Sequence, residues 1–327
     1  MAKTPGLIAP MKSADVKGDL SLVRVPCLYS PKFDGFRASV QECPDESRGG
    51  YYPMVLSSNL KPIPNEFVQG LLGIEACNGF DGELVVGDPT DKPFKRTSSG
   101  VTSRSGEPDF KFYVFDYLRA LHLPYEDRLH ILSKLVKKLP KRLQGRVVLV
   151  AHERALTHED LRVEEERAVA CGYEGLMTRD PQGPHKEGYP TIKENWLCKV
   201  KRRPDAECRV LGCYEQTENT NAPTKNALGK TQRSSHKAGK VGKGTLGGFE
   251  VEGVNGPYAG KVWTMGTGNG LTDAERARLW DIWLRTPKKL IGTLRKYSYD
   301  PGGGPDAPRQ PIDEGARDPS DMAKVQR

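Results

Sequence analysis

The sequence predicts an α+β fold divided between two domains, 1–202 and 203–327. Strands and helices mix without a regular βαβ rhythm in the first part, and short strands dominate the second part. A change of composition separates them, because the strand pattern of "KVKRRPDAE" (199–207) runs into Pro204. A proline cannot continue a central strand and restricts the residue before it. We therefore place the domain boundary after residue 202.

Several segments of the first part show clear periodicity. The apolar and aromatic stretch "FKFYVFDYL" (110–118) predicts a buried strand, and "YEDRLHILSKLVKKL" (125–139) predicts a helix with one apolar stripe. Thr157 and Asp160 resemble a capping box that opens a second helix, which would stop at Gly172. The segment "GRVVLVAHE" predicts a strand between these helices.

The second part is expected to be all β. Short strands are predicted in "CRVLGCYE", "GGFEVEGV" and "GKVWTMG". Between the first two, residues 225–243 include seven basic residues counting His236 and no acidic one, so we predict a flexible loop that follows phosphates. After Tyr299 the chain is rich in Pro, Gly and Asp, which predicts a tail that is ordered only where it docks.

Composition argues against several classes of protein. No apolar run approaches the roughly 18 residues needed to cross a membrane. The start "MAKTPGLIAPMKS" has no signal-peptide core, so we expect a cytoplasmic protein (in the host cytoplasm if its source is viral) with no membrane partner. The seven cysteines never show C-x-x-C spacing, which argues against a disulfide scaffold or a four-cysteine zinc site. The net charge of +8 favours a polyanionic partner.

The segment "SPKFDGFRA" (30–38) allows two interpretations. Asp-Gly is a tight-turn signal, so the segment could be a surface hairpin with unrelated charges beside it. Alternatively, the turn presents Lys32 at the mouth of a strand in which Arg37 points away from the core. The chain contains no complete P-loop or dinucleotide fingerprint, so any nucleotide chemistry would use another kind of site.

Other charged residues share this ambiguity. "NWLCKVK" places Lys199 and Lys201 on one strand face, which is either a solvated face or a pair of cations that serves chemistry. A lysine attacks phosphorus only as the neutral amine, and nearby cations lower the pKa of a lysine. Glu83 in "FDGELVV" and Glu174 in "GYEGLMTRD" are each surface carboxylates in the simpler interpretation.

Together these segments resemble the covalent nucleotidyltransferase superfamily, and within it the small ATP-dependent DNA ligases of phage type. The residues Lys32, Asp34, Gly35 and Arg37 match the nucleophile motif Lys-x-Asp-Gly-x-Arg. The later motifs follow in the family's order as "DGELV", "FYVFDYL", "EGLMTR" and "WLCKVK". "LSSNLKPIPN" resembles the segment after the first motif, and "MGTGNGLTDAERARLWD" and "PRQPIDEGARDP" resemble second-domain signatures, so the resemblance covers nearly the whole chain.

The resemblance implies a nucleotidyltransferase (ATP-grasp-like DNA ligase) domain of packed antiparallel sheets with helices at 1–202. An all-β OB-fold domain, with the basic loop 225–243 and the C-terminal tail, would occupy 203–327. The implied enzyme is an ATP-dependent DNA ligase that seals 5′-phosphate/3′-hydroxyl nicks in duplex DNA through a lysine-adenylate. Its implied cofactors are ATP and Mg²⁺, with Mn²⁺ as a substitute. Nicked duplex DNA would be the partner, and the monomer the active form.

The resemblance also assigns roles to residues. Lys32 would be the adenylated nucleophile, with Asp34, Lys199 and Lys201 as further catalytic residues. The nucleotide would be bound by residues around the nucleophile and in the later motifs, namely Ser30, Pro31, Lys32, Phe33, Arg37, Glu83, Phe115, Lys199 and Lys201. Glu174 and Glu83 would bind the metal. The basic residues assigned to DNA are Lys61, Arg104, Lys225, Lys230, Arg233, Lys237, Lys240, Lys243 and Arg317.

Two departures and two alternatives accompany the resemblance. Ser58 stands where relatives commonly have an arginine that holds the nick 5′-phosphate, and the last motif clearly retains only Arg317 and Asp318. RNA ligases and messenger-RNA guanylyltransferases share the covalent lysine, but "DGELV" and the short second domain favour a DNA ligase. A non-catalytic nucleic-acid-binding protein would explain the charge of +8 but not Glu83, Glu174 and the paired lysines.

Overall fold

The computed structural model describes residues 6–45, 49–225, 231–268, 271–300 and 303–318. It divides into two compact units, one of Met1–Arg202 with Lys225–Thr231 and the other of Arg203–Thr224 with Gln232–Arg327. In the described part of the chain, no helix has the length and apolar character that a membrane crossing requires.

The first unit contains two five-stranded sheets and the helices packed on them. In chain order its strands are β1 Ala14–Asp15, β2 Cys27–Pro31, β3 Phe36–Asp45, β4 Gly50–Ser57, β5 Phe80–Val86, β6 Phe110–Tyr117, β7 Val147–Leu149, β8 Glu153–Ala155, β9 Leu176–Arg179 and β10 Leu197–Val200. Its α-helices are α1 Glu66–Leu72, α2 Phe94–Thr102, α3 Tyr125–Lys137 and α4 His158–Ala170. One sheet has the strand order β4-β3-β5-β6-β7 and the other β1-β10-β9-β2-β8.

The first sheet forms a core with the helices packed on it. In β3, Ala38 and Val40 are fully buried, as the period-two pattern predicts. The predicted strand at 110–118 is confirmed as β6, whose Phe112 belongs to the same core. Helix α3 packs on β6 and β7 and contributes Leu132 from its apolar stripe.

The second sheet has its own core and is covered by α4. The predicted capping box is confirmed, because Asp160 N donates to Thr157 Oγ1 at 3.1 Å and Thr157 N donates to the Asp160 carboxylate at 2.9 Å. The chain leaves this helix at Gly172, whose φ of +98° favours glycine. Leu161 of α4 packs with Leu176 of β9, so the helix supports the strand at the centre of the site described below.

The second unit is a closed five-stranded barrel with the order β11-β14-β15-β17-β16. Its barrel strands are β11 Asp205–Asn219, β14 Lys240–Gly253, β15 Val262–Gly266, β16 Leu294–Asp300 and β17 Arg309–Arg317, and it carries the helix α5 Asp273–Arg285. Between β11 and β14 in the chain, β12 Pro223–Lys225 and β13 Thr231–Arg233 form a separate two-stranded sheet. Phe249 and Tyr297 are fully buried in the barrel core. Helix α5 opens with a capping box between Thr272 and Glu275 and packs on β14.

Part of the predicted loop at 225–243 forms strands, at Lys225, at Thr231–Arg233 and from Lys240 onward. β12 pairs with β13, and β14 begins at Lys240 and pairs with β11 as far as Asn219. These ladders use main-chain hydrogen bonds, so a segment without apolar residues can still form strands when a partner strand is present. The predicted tail likewise contributes β17, which docks in the barrel beside β16.

Candidate functional site

A cavity of about 280 Å³ lies between the two sheets of the first unit. Strands β2, β9 and β10 contribute to one wall, and β3, β5 and β6 contribute to the other. Of the residues predicted to bind the nucleotide, those that line the cavity are Ser30, Pro31, Lys32, Phe33, Arg37, Glu83, Phe115 and Lys199. The fold therefore collects residues from distant parts of the sequence around one space of ligand size.

Main-chain pairing sets the position of Lys32, which directly follows β2. Lys32 N donates to Gly175 O at 2.9 Å, and Glu174 N donates to Lys32 O at 3.2 Å. Gly175 has a φ of +139°, and a Cβ at this position would collide with Val200 O. The glycine thus allows three strands to converge at the nucleophile, with Glu174 beside it.

The carboxylate of Glu174 bridges two lysines. Its Oε2 accepts from Lys32 Nζ, and its Oε1 lies 3.4 Å from Lys201 Nζ. Burial lowers the pKa of Lys32, but attraction to Glu174 and the hydrogen bond with it outweigh that effect, so the pKa of Lys32 is raised. The prediction that neighbouring lysines lower this pKa is wrong in the structure, because a carboxylate lies between the two ammonium groups.

Lys199 and Lys201 are predicted to lie on one strand face, but they form ion pairs with different carboxylates. The parallel pairing of β1 with β10 places Asp15 in register with Lys199, and the Asp15 Oδ2–Lys199 Nζ distance is 3.1 Å. Lys201 is buried and does not line the cavity. Asp34 also lies outside the cavity lining, in the turn after Lys32, where its negative charge raises the pKa of Lys32 further.

The turn after Lys32 needs glycine because it passes close to β5. A Cβ on Gly35 would collide with Leu84 O and lie 2.8 Å from Glu83 Cγ. Glu83 is in register with Arg37 across β3 and β5. Removal from water raises the pKa of Glu83 to about 7, although Arg37 and Lys32 act in the opposite direction.

Arg37 is held by a carboxylate that the sequence analysis missed. Its Nε donates to Asp81 Oδ1 at 2.7 Å and its Nη2 donates to Asp81 Oδ2 at 2.6 Å. Asp81 is fully buried, and the Arg37 guanidinium lies 4.3 Å from the centroid of the Phe115 ring. The bidentate pair thereby fixes a cation against one aromatic wall of the cavity.

A buried ion network, also missed, lies behind this wall. Asp116 accepts from Arg128 Nε at 2.7 Å and from Arg179 Nη2 at 3.1 Å. Burial alone would raise the pKa of Asp116, but the two arginines outweigh it and lower the pKa to about 2. The sequence does contain one sign of this network. Arg128 falls on the apolar stripe of α3, where a charged residue needs a buried partner.

Tyr125 and His152 complete the cavity lining near Phe115. The Tyr125 hydroxyl donates to Phe115 O at 2.7 Å and lies 2.8 Å from His152 Nε2. His152 Nδ1 lies 2.9 Å from Val150 O, which can only accept, so this nitrogen carries the proton. Burial lowers the pKa of His152 to about 4, so the ring is neutral near pH 7.

The metal-binding prediction rests on two carboxylates alone. Among the described residues there is no group of three or more His, Cys, Asp or Glu side chains that could hold a metal ion. Mg²⁺ usually binds one or two carboxylates together with substrate phosphates and water. Glu174 and Glu83, both of which act on Lys32, fit a metal shared with a substrate, but not a metal cage made of protein ligands alone.

The basic residues predicted to bind DNA do not line the cavity, as far as the structure describes them. Lys61 and Arg104 are exposed in the first unit, and Arg104 Nε lies 2.8 Å from Glu66 Oε1. Arg233 is exposed and donates to Asn221 O. The remaining described members are exposed or partly buried in the second unit, namely Lys237, Lys240, Lys243 and Arg317. Lys230 and the side chain of Lys225 lie outside the described residues.

Sequence comparisons relate the chain to known proteins. The family model described as "ATP dependent DNA ligase domain" matches residues 10–201. A DNA ligase of Natronomonas pharaonis is 29% identical over 187 residues, which cover 54% of this chain and 32% of that protein. The matched part thus spans about a third of the length of the curated relatives.

Solved structures show the same likeness. The crystal structure of Chlorella virus DNA ligase-adenylate shares 25% identity at a TM-score of 0.52, covering 95% of this chain and 100% of that chain. A structure from an analysis of Lig E DNA ligases shares 21% identity at a TM-score of 0.67, covering 95% of this chain and 100% of that one, which supports the fold alone. The predicted mixture of helices and sheets matching nucleotidyltransferase domains is therefore confirmed.

Proposed function

This chain belongs to the family of ATP-dependent DNA ligase domains, and we propose that it seals nicks in duplex DNA through an adenylate on Lys32. One observation carries the proposal: Lys32 lines a cavity of ligand size and is bound there by Glu174, which also contacts Lys201. A structural lysine would have no reason to share a buried carboxylate with a second lysine beside such a cavity.

The first step forms the covalent intermediate. The ammonium of Lys32, which is hydrogen-bonded to Glu174, first releases one proton to solvent, and its nitrogen releases a second proton as the new bond forms. The neutral amine attacks the α-phosphorus of ATP, so an N–P bond forms while the P–O bond to the pyrophosphate breaks. Lys199, which lines the cavity, stabilises the negative charge that develops on the α-phosphate, and the buried Lys201 acts on this step through Glu174.

The next steps transfer AMP and join the strand. An oxygen of the nick 5′-phosphate attacks the phosphorus of AMP, the N–P bond breaks, and Lys32 is restored. The 3′-hydroxyl, oriented by Asp34, then attacks the phosphorus of the 5′-phosphate and releases its proton to solvent, and AMP leaves with the electron pair of the broken P–O bond. One copy of the chain acts on one nick.

The adenosine part of ATP is proposed to lie against Phe115. Phe115 lines the cavity, and two contacts hold it in place there: Arg37 lies against its ring, and the Tyr125 hydroxyl donates to its main-chain carbonyl. The main chain at Ser30 and Pro31 is proposed to form hydrogen bonds with the edge of the adenine. Phe33 is proposed to contact the adenine as well, and Glu83 to contact the ribose.

Mg²⁺, or Mn²⁺ in its place, is proposed to bind Glu174 and Glu83 together with substrate phosphates. The ion supplies positive charge that offsets the charge of the phosphates when it is bound. Glu83 suits this task poorly when protonated, and its raised pKa of about 7 makes its ionisation dependent on pH near neutrality.

Residues 203–327 are proposed to form an OB-fold that binds DNA. The closed five-stranded barrel supports this assignment, because such barrels are common platforms for nucleic acids. Lys237, Lys240 and Lys243 are exposed on or beside β14 and are proposed to contact phosphates. Lys61, Arg104 and the other predicted basic residues complete this proposed set.

Labelling with α-labelled nucleotide tests the proposal directly. The protein is incubated with Mg²⁺ and α-labelled ATP or GTP without DNA, denatured, and assayed for bound label. We expect label from ATP, its loss in Lys32→Ala, and its retention in Lys111→Ala, a control at an exposed lysine of β6. Sealing of nicked DNA but not nicked RNA should follow.

Other outcomes identify other functions. Label from GTP but not from ATP would indicate a guanylyltransferase, and preferential sealing of nicked RNA would indicate an RNA ligase. Absence of label from either nucleotide, together with tight DNA binding, would indicate a non-catalytic nucleic-acid-binding protein.

A further inference from the structure

The segment before β1 holds a lysine at the cavity that no motif includes. Lys12 lines the cavity, and its main-chain N donates to Gly188 O at 2.7 Å. The preceding Met11 is buried, with its Sδ 3.4 Å from Nη1 of Arg179. The hydrogen bond to Gly188 and the burial of Met11 therefore hold the main chain at Lys12 in place, and the Lys12 side chain lines the cavity.

Lys12 differs from the other cations of the cavity in its partner. Besides Lys12, four lysine or arginine side chains among the described residues line the cavity, and each has a carboxylate partner: Lys32 with Glu174, Arg37 with Asp81, Arg179 with Asp116, and Lys199 with Asp15. Among the described residues, no carboxylate oxygen lies within 4.0 Å of Lys12 Nζ. Instead, Lys12 Nζ lies 5.1 Å from the ring centroid of Tyr189, which is 66% exposed.

This arrangement leaves Lys12 as the cavity cation best able to take an added anion. Each of the other four cations is held by a carboxylate at 4.0 Å or less, although Glu174 and Asp116 are each shared by two cations. The Lys12 ammonium instead lies over a solvated aromatic ring, which stabilises an ammonium only weakly. Hydrogen bonds between an ammonium and a phosphate are strong because both groups are charged. Ser58 also lines the cavity and is uncharged, so it supplies no cation that would compete for a phosphate.

We propose that Lys12 is a phosphate-binding residue of the cavity. The inference rests on the proposed ligase function, in which phosphate reaches the cavity from two sources, the triphosphate of ATP and the 5′-phosphate of the nick. Lys12 holds one of these phosphates beside Lys32 and takes no part in bond formation itself.

Binding measurements on a chemically inert background test this role. Lys12→Met, Lys12→Arg and the control Lys111→Met are each combined with Lys32→Ala, and Lys32→Ala alone serves as the parent. Calorimetry then measures the Kd for ATP and adenosine, and for nicked duplexes that carry a 5′-phosphate or a 5′-hydroxyl. Thermal unfolding of each variant reports on the fold.

We expect Lys12→Met to weaken at least one phosphate ligand by about tenfold. Adenosine and the 5′-hydroxyl nick should bind as to the parent, and Lys12→Arg should retain most of the affinity. A loss confined to ATP identifies the triphosphate as the source, and a loss confined to the phosphorylated nick identifies the 5′-phosphate.

Two results overturn the inference. One is unchanged affinity of Lys12→Met for both ATP and the phosphorylated nick. The other is an equal loss for adenosine or the 5′-hydroxyl nick, which would show that Lys12 supports the fold. A parent that binds neither phosphate ligand would overturn this inference and the ligase proposal together. Intact binding without label transfer to Lys32 in the wild-type protein would overturn the ligase proposal alone.

Discussion

Lys32 donates a hydrogen bond to Glu174, a residue 142 positions further along the chain. The antiparallel pairing of β2 with β9 brings these two residues together. Beyond the last strand pair, the main chain of Lys32 forms hydrogen bonds with residues 174 and 175. Glu174 also contacts Lys201, which follows β10 on the other side of β9. One carboxylate thus controls the charge of the proposed nucleophile.

Removal of this carboxylate should make the amine of Lys32 more reactive. In Glu174→Gln the attraction that raises the pKa of Lys32 is lost, while the burial that lowers it remains. We expect modification of Lys32 by an amine-specific reagent, measured by mass spectrometry without nucleotide, to occur at lower pH than in the wild type. Glu159→Gln, at an exposed site on α4, serves as the control. An unchanged pH profile in Glu174→Gln would contradict this explanation.

Glu83 should make the first unit less stable as pH rises. Its pKa is raised from 4.5 to about 7, so the folded protein retains a proton that the unfolded chain releases between these values. Its stabilising contribution is therefore complete below the unfolded pKa and is lost as pH rises through the folded pKa. We expect Glu83→Gln to gain up to about 3 kcal/mol relative to the wild type over this interval.

Urea unfolding at several pH values between about 5 and about 8 checks the expectation for Glu83. The difference in unfolding free energy between Glu83→Gln and the wild type should increase with pH up to about 7 and then level off. A difference that stays constant would show that Glu83 ionises freely in the folded protein.

Asp116 should be essential for the stability of the first unit. In Asp116→Asn two buried arginines, Arg128 and Arg179, lose their shared negative charge. Breaking a buried ion pair in this way costs about 3–5 kcal/mol. The midpoint of thermal unfolding should fall by roughly 10 °C for a unit of this size. Calorimetry of Asp127→Asn, an exposed site on α3, should show little change, and a similarly small change in Asp116→Asn would refute the argument.

The basic segment of the second unit should determine how DNA binding depends on salt. Lys237, Lys240 and Lys243 are exposed. If each neutralises one DNA phosphate, changing all three to Gln should reduce the slope of log K against log salt by about 3. Fluorescence anisotropy with nicked DNA over a range of salt concentrations measures this slope.

The matched control makes the same change of charge elsewhere. Lys134, Lys137 and Lys138 are also exposed but lie at the end of α3. Their triple Gln variant should bind DNA with the wild-type slope. Equal slopes for both triple variants would mean that the segment 237–243 makes no phosphate contact of its own.

The features that the sequence by itself determined are local. Thr157 and Asp160 lie three residues apart and form the predicted capping box, and the alternation of apolar residues in β3 identifies the face that packs into the hydrophobic core. The Lys-x-Asp-Gly-x-Arg motif identified Lys32 as the candidate nucleophile for a similar reason, because its members lie close together in the sequence. Periodicity and capping act within a few residues, so they can be recognised without knowledge of the fold.

Strand pairing and burial decided the rest. Only the tertiary structure shows that Glu174 binds Lys32, that Asp81 binds Arg37, and that Lys12 reaches the cavity. The direction of the pKa shift of Lys32 depends on this placement, since the carboxylate of Glu174 at hydrogen-bonding distance outweighs the effect of burial. Electrostatic energies depend on distance in space and on burial, and the separation of residues along the chain determines neither.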